Sequence, residues 1–202
     1  MIGSHNSMSF RPVRQWYYKP LAWTARCQKA SLREQFMNYN CRLFDIRVKY
    51  DKCGNLTYAH GPIQFAGHVK TDLSMLNNLA ELTDSKVYIR VVLECNKPLK
   101  DQALQEEHFK YFCEDLEEQY PHLTFFGGER KYDWVKVYNF NTPDVPLYDY
   151  YSSTTDPLGG KSKKWWSKLD DLWPWLFAKL HNKKLKSRYN DDRVLFLDFV
   201  NI

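Results

Sequence analysis

RLFDIRVKY, residues 42–50, reads as a strand: it is short, rich in β-branched and aromatic side chains, and free of Gly and Pro. Working outward, Leu56–His60, 86–94 (KVYIRVVLE), Leu123–Phe126, 134–140 and 193–200 give five more strand candidates. Several are apolar on both faces, as strands buried in a parallel sheet tend to be.

Between the strands lie segments of helical period. Residues 31–39 and Val69–Leu82 read as helices, and in 101–120 the residues Leu104, Phe109, Phe112, Leu116 and Tyr120 recur near helical spacing. Residues 162–182 carry Trp165, Trp166, Leu169, Leu172, Trp173, Leu176, Phe177 and Leu180 in the same way, with Pro174 predicted to kink or split the helix. Residues 142–161, rich in Pro, Tyr, Ser and Gly, read as a long irregular connection.

Strands alternating with helices imply βα units around a parallel sheet or barrel. The 202 residues predict one domain, 1–202. A full eight-stranded barrel takes about 250 residues, so short helices, missing helices or an incomplete ring are expected.

An apolar share of 44% is ample for a core, and 7 Trp, 14 Tyr and 12 Phe suit surfaces that are partly apolar and partly wet. The net charge of +5 fits an anionic partner without choosing among lipid, nucleic acid and phosphorylated small molecules. Nucleic acid is disfavoured, since no recognition motif accompanies the basic residues. Cys27, Cys41, Cys53, Cys95 and Cys113 are odd in number and form no CxxC pair, and read as reduced thiols. Neither a secretion signal nor an apolar membrane span is visible. The expectation is a cytoplasmic protein or one peripheral to a membrane, or a secreted one if a signal was removed.

Four motifs sit at or just after strand candidates: Gly3-Ser4-His5-Asn6-Ser7, Phe44-Asp45-Ile46-Arg47, Ala59-His60-Gly61-Pro62 and Leu197-Asp198-Phe199-Val200-Asn201. In a parallel barrel the carboxyl ends of the strands share one face, so these side chains converge there. Two imidazoles suit proton transfer near neutral pH, and an arginine fork matches two phosphoryl oxygens.

These motifs, with Ala22–Gln28 and then Ser31, Leu32, Glu34 and Gln35, resemble those of bacterial phosphatidylinositol-specific phospholipase C catalytic domains of the metal-independent type. The resemblance implies an α/β fold, a compact, distorted or incomplete TIM-type barrel of the PLC-like phosphodiesterase superfamily. It implies cleavage of an inositol phospholipid by attack of the inositol 2-hydroxyl on phosphorus, expelling diacylglycerol. His5 would be general base and His60 general acid, Asp198 would orient His5, Arg47 would bind the phosphoryl oxygens, and Asp45 would hold Arg47. Asn6, Glu94 and Lys136 are expected to contact substrate, with pairing to Arg47 the alternative for Glu94.

Asn6 and Glu94 resemble residues of calcium-dependent members, whereas Arg47 falls where that class has an acidic ligand. A fixed positive charge about 4 Å from a cation costs about 4 kcal/mol per unit charge at an effective dielectric near 20, so no metal is expected, calcium being the alternative. Reaching a bilayer calls for exposed aromatics beside basic residues. Trp16, Tyr17, Tyr18 and Trp23 are the expected membrane interface; 161–186 fits either a basic interfacial helix or a barrel helix with a core aromatic stripe. The rivals are a metal-dependent glycerophosphodiester or sphingomyelinase-D-like phosphodiesterase, and a non-catalytic barrel binding inositol phosphates or lipid head groups.

Overall fold

The computed structural model describes residues 1–94, 102–126, 135–137, 150–152, 173–187 and 194–202. Its strands are β1 (Ile2–Ser4), β2 (Cys41–Tyr50), β3 (Leu56–His60), β4 (Ile63–Phe65), β5 (Val87–Glu94), β6 (Leu123–Phe126), β7 (Val135–Val137), β8 (Tyr150–Ser152) and β9 (Val194–Leu197). The helices are α1 (Ala22–Ala25), preceded by a 3-10 turn over Trp16–Leu21, α2 (Leu32–Met37), α3 (Val69–Leu82), α4 (Gln102–Gln119) and α5 (Pro174–Ser187).

All nine strands belong to one mixed sheet. Its parallel body runs β8-β9-β1-β2-β5-β6, with Asp45 opposite Arg90 where β2 meets β5. The β3-β4 hairpin adds antiparallel to the end of β2, and β7 adds antiparallel to the end of β5. The chain is thus an α/β protein. Among the described residues no pairing joins β6 or β7 to β8, so no closed barrel is seen among them, an incomplete ring being one of the expected forms.

Side chains on a strand alternate between faces. On β2, Phe44, Ile46 and Val48 enter the main core with Phe36 of α2, Leu73 and Leu76 of α3, and Phe109 and Leu116 of α4. Leu43 belongs to a smaller cluster with Phe126 and Val194, against which Met1, Tyr88 and Phe196 pack. Asp45 and Arg47 continue along the Leu43 face, so a charged group forms at one end of that apolar plug. Gly3 makes this possible, because a Cβ there would lie 2.9 Å from Phe196 Cδ2 and 3.1 Å from Leu43 Cδ2.

Local signals agree with these elements. Ser31 caps α2: its Oγ accepts from the Glu34 N–H at 3.3 Å while the Glu34 carboxylate accepts from the Ser31 N–H at 2.7 Å. Such a box is worth about 1 kcal/mol. Pro174 opens α5 rather than kinking it, because the first helical position needs no N–H and the ring fixes a helical φ. The expected connection 142–161 contains β8, an edge strand that its Pro- and Ser-rich flanks hide. The rest of that connection, like 162–172 with Trp165, Trp166, Leu169 and Leu172, lies outside the described residues.

Candidate active site

The turn after β1 is tied into the sheet by buried hydroxyls and amides. Ser7 Oγ donates to the Ser4 carbonyl at 2.8 Å and accepts from the Asp45 N–H at 2.9 Å. Gln35 accepts from Ser4 Oγ at 2.6 Å and donates to the Ser7 and Ala30 carbonyls at 2.8 and 2.7 Å. Gln28 donates to the carbonyls of Leu197 and His5 at 2.8 and 3.1 Å and accepts from the Val200 N–H at 3.1 Å. A fully buried glutamine therefore stitches the end of β1 to the end of β9, bringing His5 beside Asp198.

His5 Nδ1 lies 2.7 Å from Asp198 Oδ1, and Arg47 Nη2 lies 2.7 Å from His5 Nε2. A guanidinium can only donate, so Nε2 accepts and Nδ1 carries the proton to Asp198. The two ring nitrogens thus have fixed and opposite partners. Arg47 further donates from Nε to Asp45 Oδ2 at 2.7 Å and from Nη1 to Glu94 Oε1 at 3.0 Å. The Asn6 N–H donates to the same Asp45 oxygen at 3.1 Å, while the Asn6 Nδ2 is buried without a hydrogen-bond partner among the described residues.

His60, at the end of β3, donates from Nδ1 to the Ala25 carbonyl at 2.9 Å, which leaves Nε2 to exchange a proton. Its ring centroid is 6.2 Å from that of His5, the planes at 86°.

Burial and pairing set the electrostatics. Burial by itself would raise the Asp45 carboxyl, but Arg47, Arg90 and His5 outweigh it and hold the group well below the usual carboxylate range. Burial would lower the Arg47 guanidinium, yet Asp45 and Glu94 more than restore it, so it stays charged. Burial and then Arg47 push the His60 imidazole below its ordinary value, against smaller opposing effects of Glu94 and the Ala25 carbonyl. Burial and Asp198 push the Cys27 thiol far up, so it stays protonated.

Of the residues singled out in the sequence, His5, Asn6, Asp45, Arg47, His60, Glu94 and Asp198 come together. Lys136 has a described backbone, paired with Leu93, but its side chain lies outside the described residues. Trp16, Tyr17 and Trp23 are exposed, at 77%, 55% and 47%, whereas Tyr18 is half-buried and packs on the core. Trp23 meets Trp173 with ring centroids 5.7 Å apart, so the aromatic segment after the first motif and the start of α5 share one face. On α5, Phe177, Ala178 and Leu185 face inward while Trp175, Leu176 and Leu180, like Trp173 just before the helix, are exposed.

Sequence reasoning passed over Arg90, whose Nη1 is 3.6 Å from Asp45 Oδ1, and Cys27, whose Sγ is 3.8 Å from His60 Nδ1. It also missed Gln28 and Gln35 as fasteners; both stand among polar residues such as Arg26, Lys29, Arg33 and Glu34, so no local signal marks them as buried. Among the described residues, His5, Cys27 and Asp198 form a group with donor atoms within 4.8 Å of one another. Nδ1 and the carboxylate there are engaged with each other, and the thiol keeps its proton. A separate cleft of about 930 Å³, lined by Arg14, Asp51, His68, Lys70 and His108 among others, contains none of the seven clustered residues.

No family model matches the chain, and no curated protein matches it. Among solved structures there is a partial likeness to one described as the modulation of S. aureus phosphatidylinositol-specific phospholipase C membrane binding. The TM-score is 0.40 and the identity 16%, over 54% of this chain and 36% of that one, so the chain spans about a third of its length. At that similarity nothing passes from one protein to the other, and the site stands on its own geometry.

Proposed function

We propose that the chain is a single-domain phosphodiesterase of the phospholipase C type, acting on inositol phospholipids with His5 and His60 as its acid/base pair. The observation that carries this is the ordered line Asp198–His5–Arg47, with His60 edge-on to His5. It is the arrangement a base needs: a carboxylate fixing one nitrogen, and a fixed cation beside the other where phosphoryl charge would collect.

In the step proposed, the substrate phosphate draws Arg47 Nη2 away from His5 Nε2, which then takes the proton of the inositol 2-hydroxyl. That oxygen bonds to phosphorus, the bond from phosphorus to the diacylglycerol oxygen breaks, and His60 Nε2 gives its proton to the leaving oxygen. The products are diacylglycerol and a cyclic inositol phosphate. Asp198 steadies the imidazolium formed on His5, and Asp45 with Glu94 keeps the guanidinium in place. Because burial and Arg47 disfavour the charged form of His60, the arriving anion is what loads the acid.

The same geometry supports a metal-free site. Calcium would need Asn6, Asp45 and Glu94, but Arg47 already bonds both carboxylates. The exposed Trp16, Tyr17 and Trp23, joined by Trp173 and by Trp175 with Lys179 over its ring, support peripheral contact with a membrane. No helix of the described residues is long and apolar enough to cross one. The parallel body of the sheet, with the charged group at one end, supports an incomplete barrel.

One observation favours a second reading, a non-catalytic head-group binder: Arg47 occupies the His5 nitrogen that a base must offer. Release of diacylglycerol from phosphatidylinositol vesicles in EDTA separates the two. Turnover supports catalysis; abolition by EDTA favours a metal enzyme; inositol phosphate binding without turnover of any phosphodiester favours the binder.

A further inference from the structure

The structure assigns to Arg90 a role as a positioning residue: it balances the charge of Asp45 so that Arg47 stays turned toward His5. Asp45 and Arg90 are register partners on β2 and β5, and Arg90 Nη1 lies 3.6 Å from Asp45 Oδ1. The Asp45 side chain has no exposure, and its other oxygen already accepts from Arg47 and from the Asn6 N–H. A buried carboxylate needs paired charge, and with no hydrogen bond to Oδ1 among the described residues, the Arg90 guanidinium is the charge that faces that oxygen.

Asp45 and Glu94 both bond Arg47, so with Arg47 alone these buried groups would carry one uncompensated negative charge. Arg90 supplies a second guanidinium, so that Asp45 and Glu94 are matched one for one, Asp198 being engaged with His5. Without Arg90 the surplus would fall on Asp45, whose Oδ2 also lies 3.8 Å from His5 Nε2. Arg47 would be pulled further onto the two carboxylates, and its Nη2 would be less available to His5 or to a phosphoryl oxygen. Arg90 reaches the group through Asp45, so it acts by way of the aspartate.

The inference rests on the proposed phosphodiesterase function. The test is kcat and KM on phosphatidylinositol vesicles, with urea unfolding alongside, for the unchanged protein, Arg90→Gln, Arg90→Lys, Asp45→Asn and the double variant. Arg90→Gln should lower kcat about a hundredfold, the cost of a small misplacement at a reacting centre, with KM changing less than about threefold. Arg90→Lys should recover most of the loss, and the double variant should be no slower than Asp45→Asn. Because Arg90→Gln strands a buried charge and can fail to fold, the double variant, which removes both charges together, carries the decision. A further hundredfold loss beyond Asp45→Asn would overturn the proposal, as would a raised KM with unchanged kcat, which would make Arg90 a substrate contact. If the unchanged protein turns over no phosphatidylinositol, the proposed function fails on its own. The pairing is then read in urea, where additive effects of Arg90→Gln and Asp45→Asn would overturn it and coupled effects would uphold it.

Discussion

Arg47 Nη2 stands 2.7 Å from His5 Nε2, on the one nitrogen of that ring that Asp198 leaves open. The guanidinium thus occupies the lone pair that a base must use. From the sequence, Arg47 is expected on the phosphoryl oxygens and held by Asp45, with no contact to His5 foreseen. Under the proposed function the observed contact would make it a gate as well, opened by the negative charge of a phosphodiester. Arg47→Lys keeps a charge but loses the fork that holds Asp45, Glu94 and His5 together. It should lower kcat by about 10² to 10³, the usual cost of one donor at developing charge, and added calcium should not restore it. Steady-state kinetics with EDTA or with calcium checks this; rescue by calcium would count against the metal-free site.

Asp198 fixes which nitrogen of His5 carries the proton. Asp198→Asn preserves size but presents a donor or a weaker acceptor, so the ring loses its orienting charge. Turnover should fall by three to four orders of magnitude, roughly the cost of the equivalent change in a Ser-His-Asp triad. KM should move little, and an unaltered kcat would remove Asp198 from the site.

His60 gives a pH dependence of stability. Its folded-state pKa lies below the ordinary 6.5, so in the window between them the unfolded chain binds more protons than the folded one. Stability should therefore be full above 6.5 and fall as pH drops from that value through the lower folded-state one. Urea midpoints for the protein and for His60→Gln over that window test it. The variant should show a flatter profile, and parallel profiles would contradict the burial of a neutral His60.

Trp16 and Trp23 stand outside the catalytic group, so they divide binding from chemistry. Trp16→Ala with Trp23→Ala should raise the apparent KM for vesicles by about tenfold or more, since an aromatic ring withdrawn from water is worth about 1.5–3 kcal/mol. On a soluble inositol phosphodiester both constants should stay within about twofold. Equal loss on both substrates would make these rings structural.

How much of the fold and site is legible in the sequence depends on the range of the interaction. Val69–Leu82 and Leu56–His60 coincide with their expected bounds, because period and flanking breakers are local. β1 has three residues and β4 has three, too few for alternation to show, and both owe their existence to partner strands. The site motifs were legible as residue types at strand ends. The Gln28 bridge and the pairing of Arg90 with Asp45 were not, since each depends on sheet register between distant segments. Phe199 is a further case: its φ of +47° is unusual for a bulky residue and is held by an N–H bond of 2.5 Å to the Cys27 carbonyl.

The separation of proton uptake at His5 from proton delivery at His60 is tested most directly with His60→Ala and two leaving groups. On phosphatidylinositol, whose alkoxide needs a proton to depart, the variant should lose about 10³ in kcat, within the usual range for a general acid. On an inositol phosphate ester of nitrophenol, which departs unprotonated, the loss should stay within about tenfold. Equal losses on the two substrates would show that His60 is not the acid, and the assignment of the pair would fall.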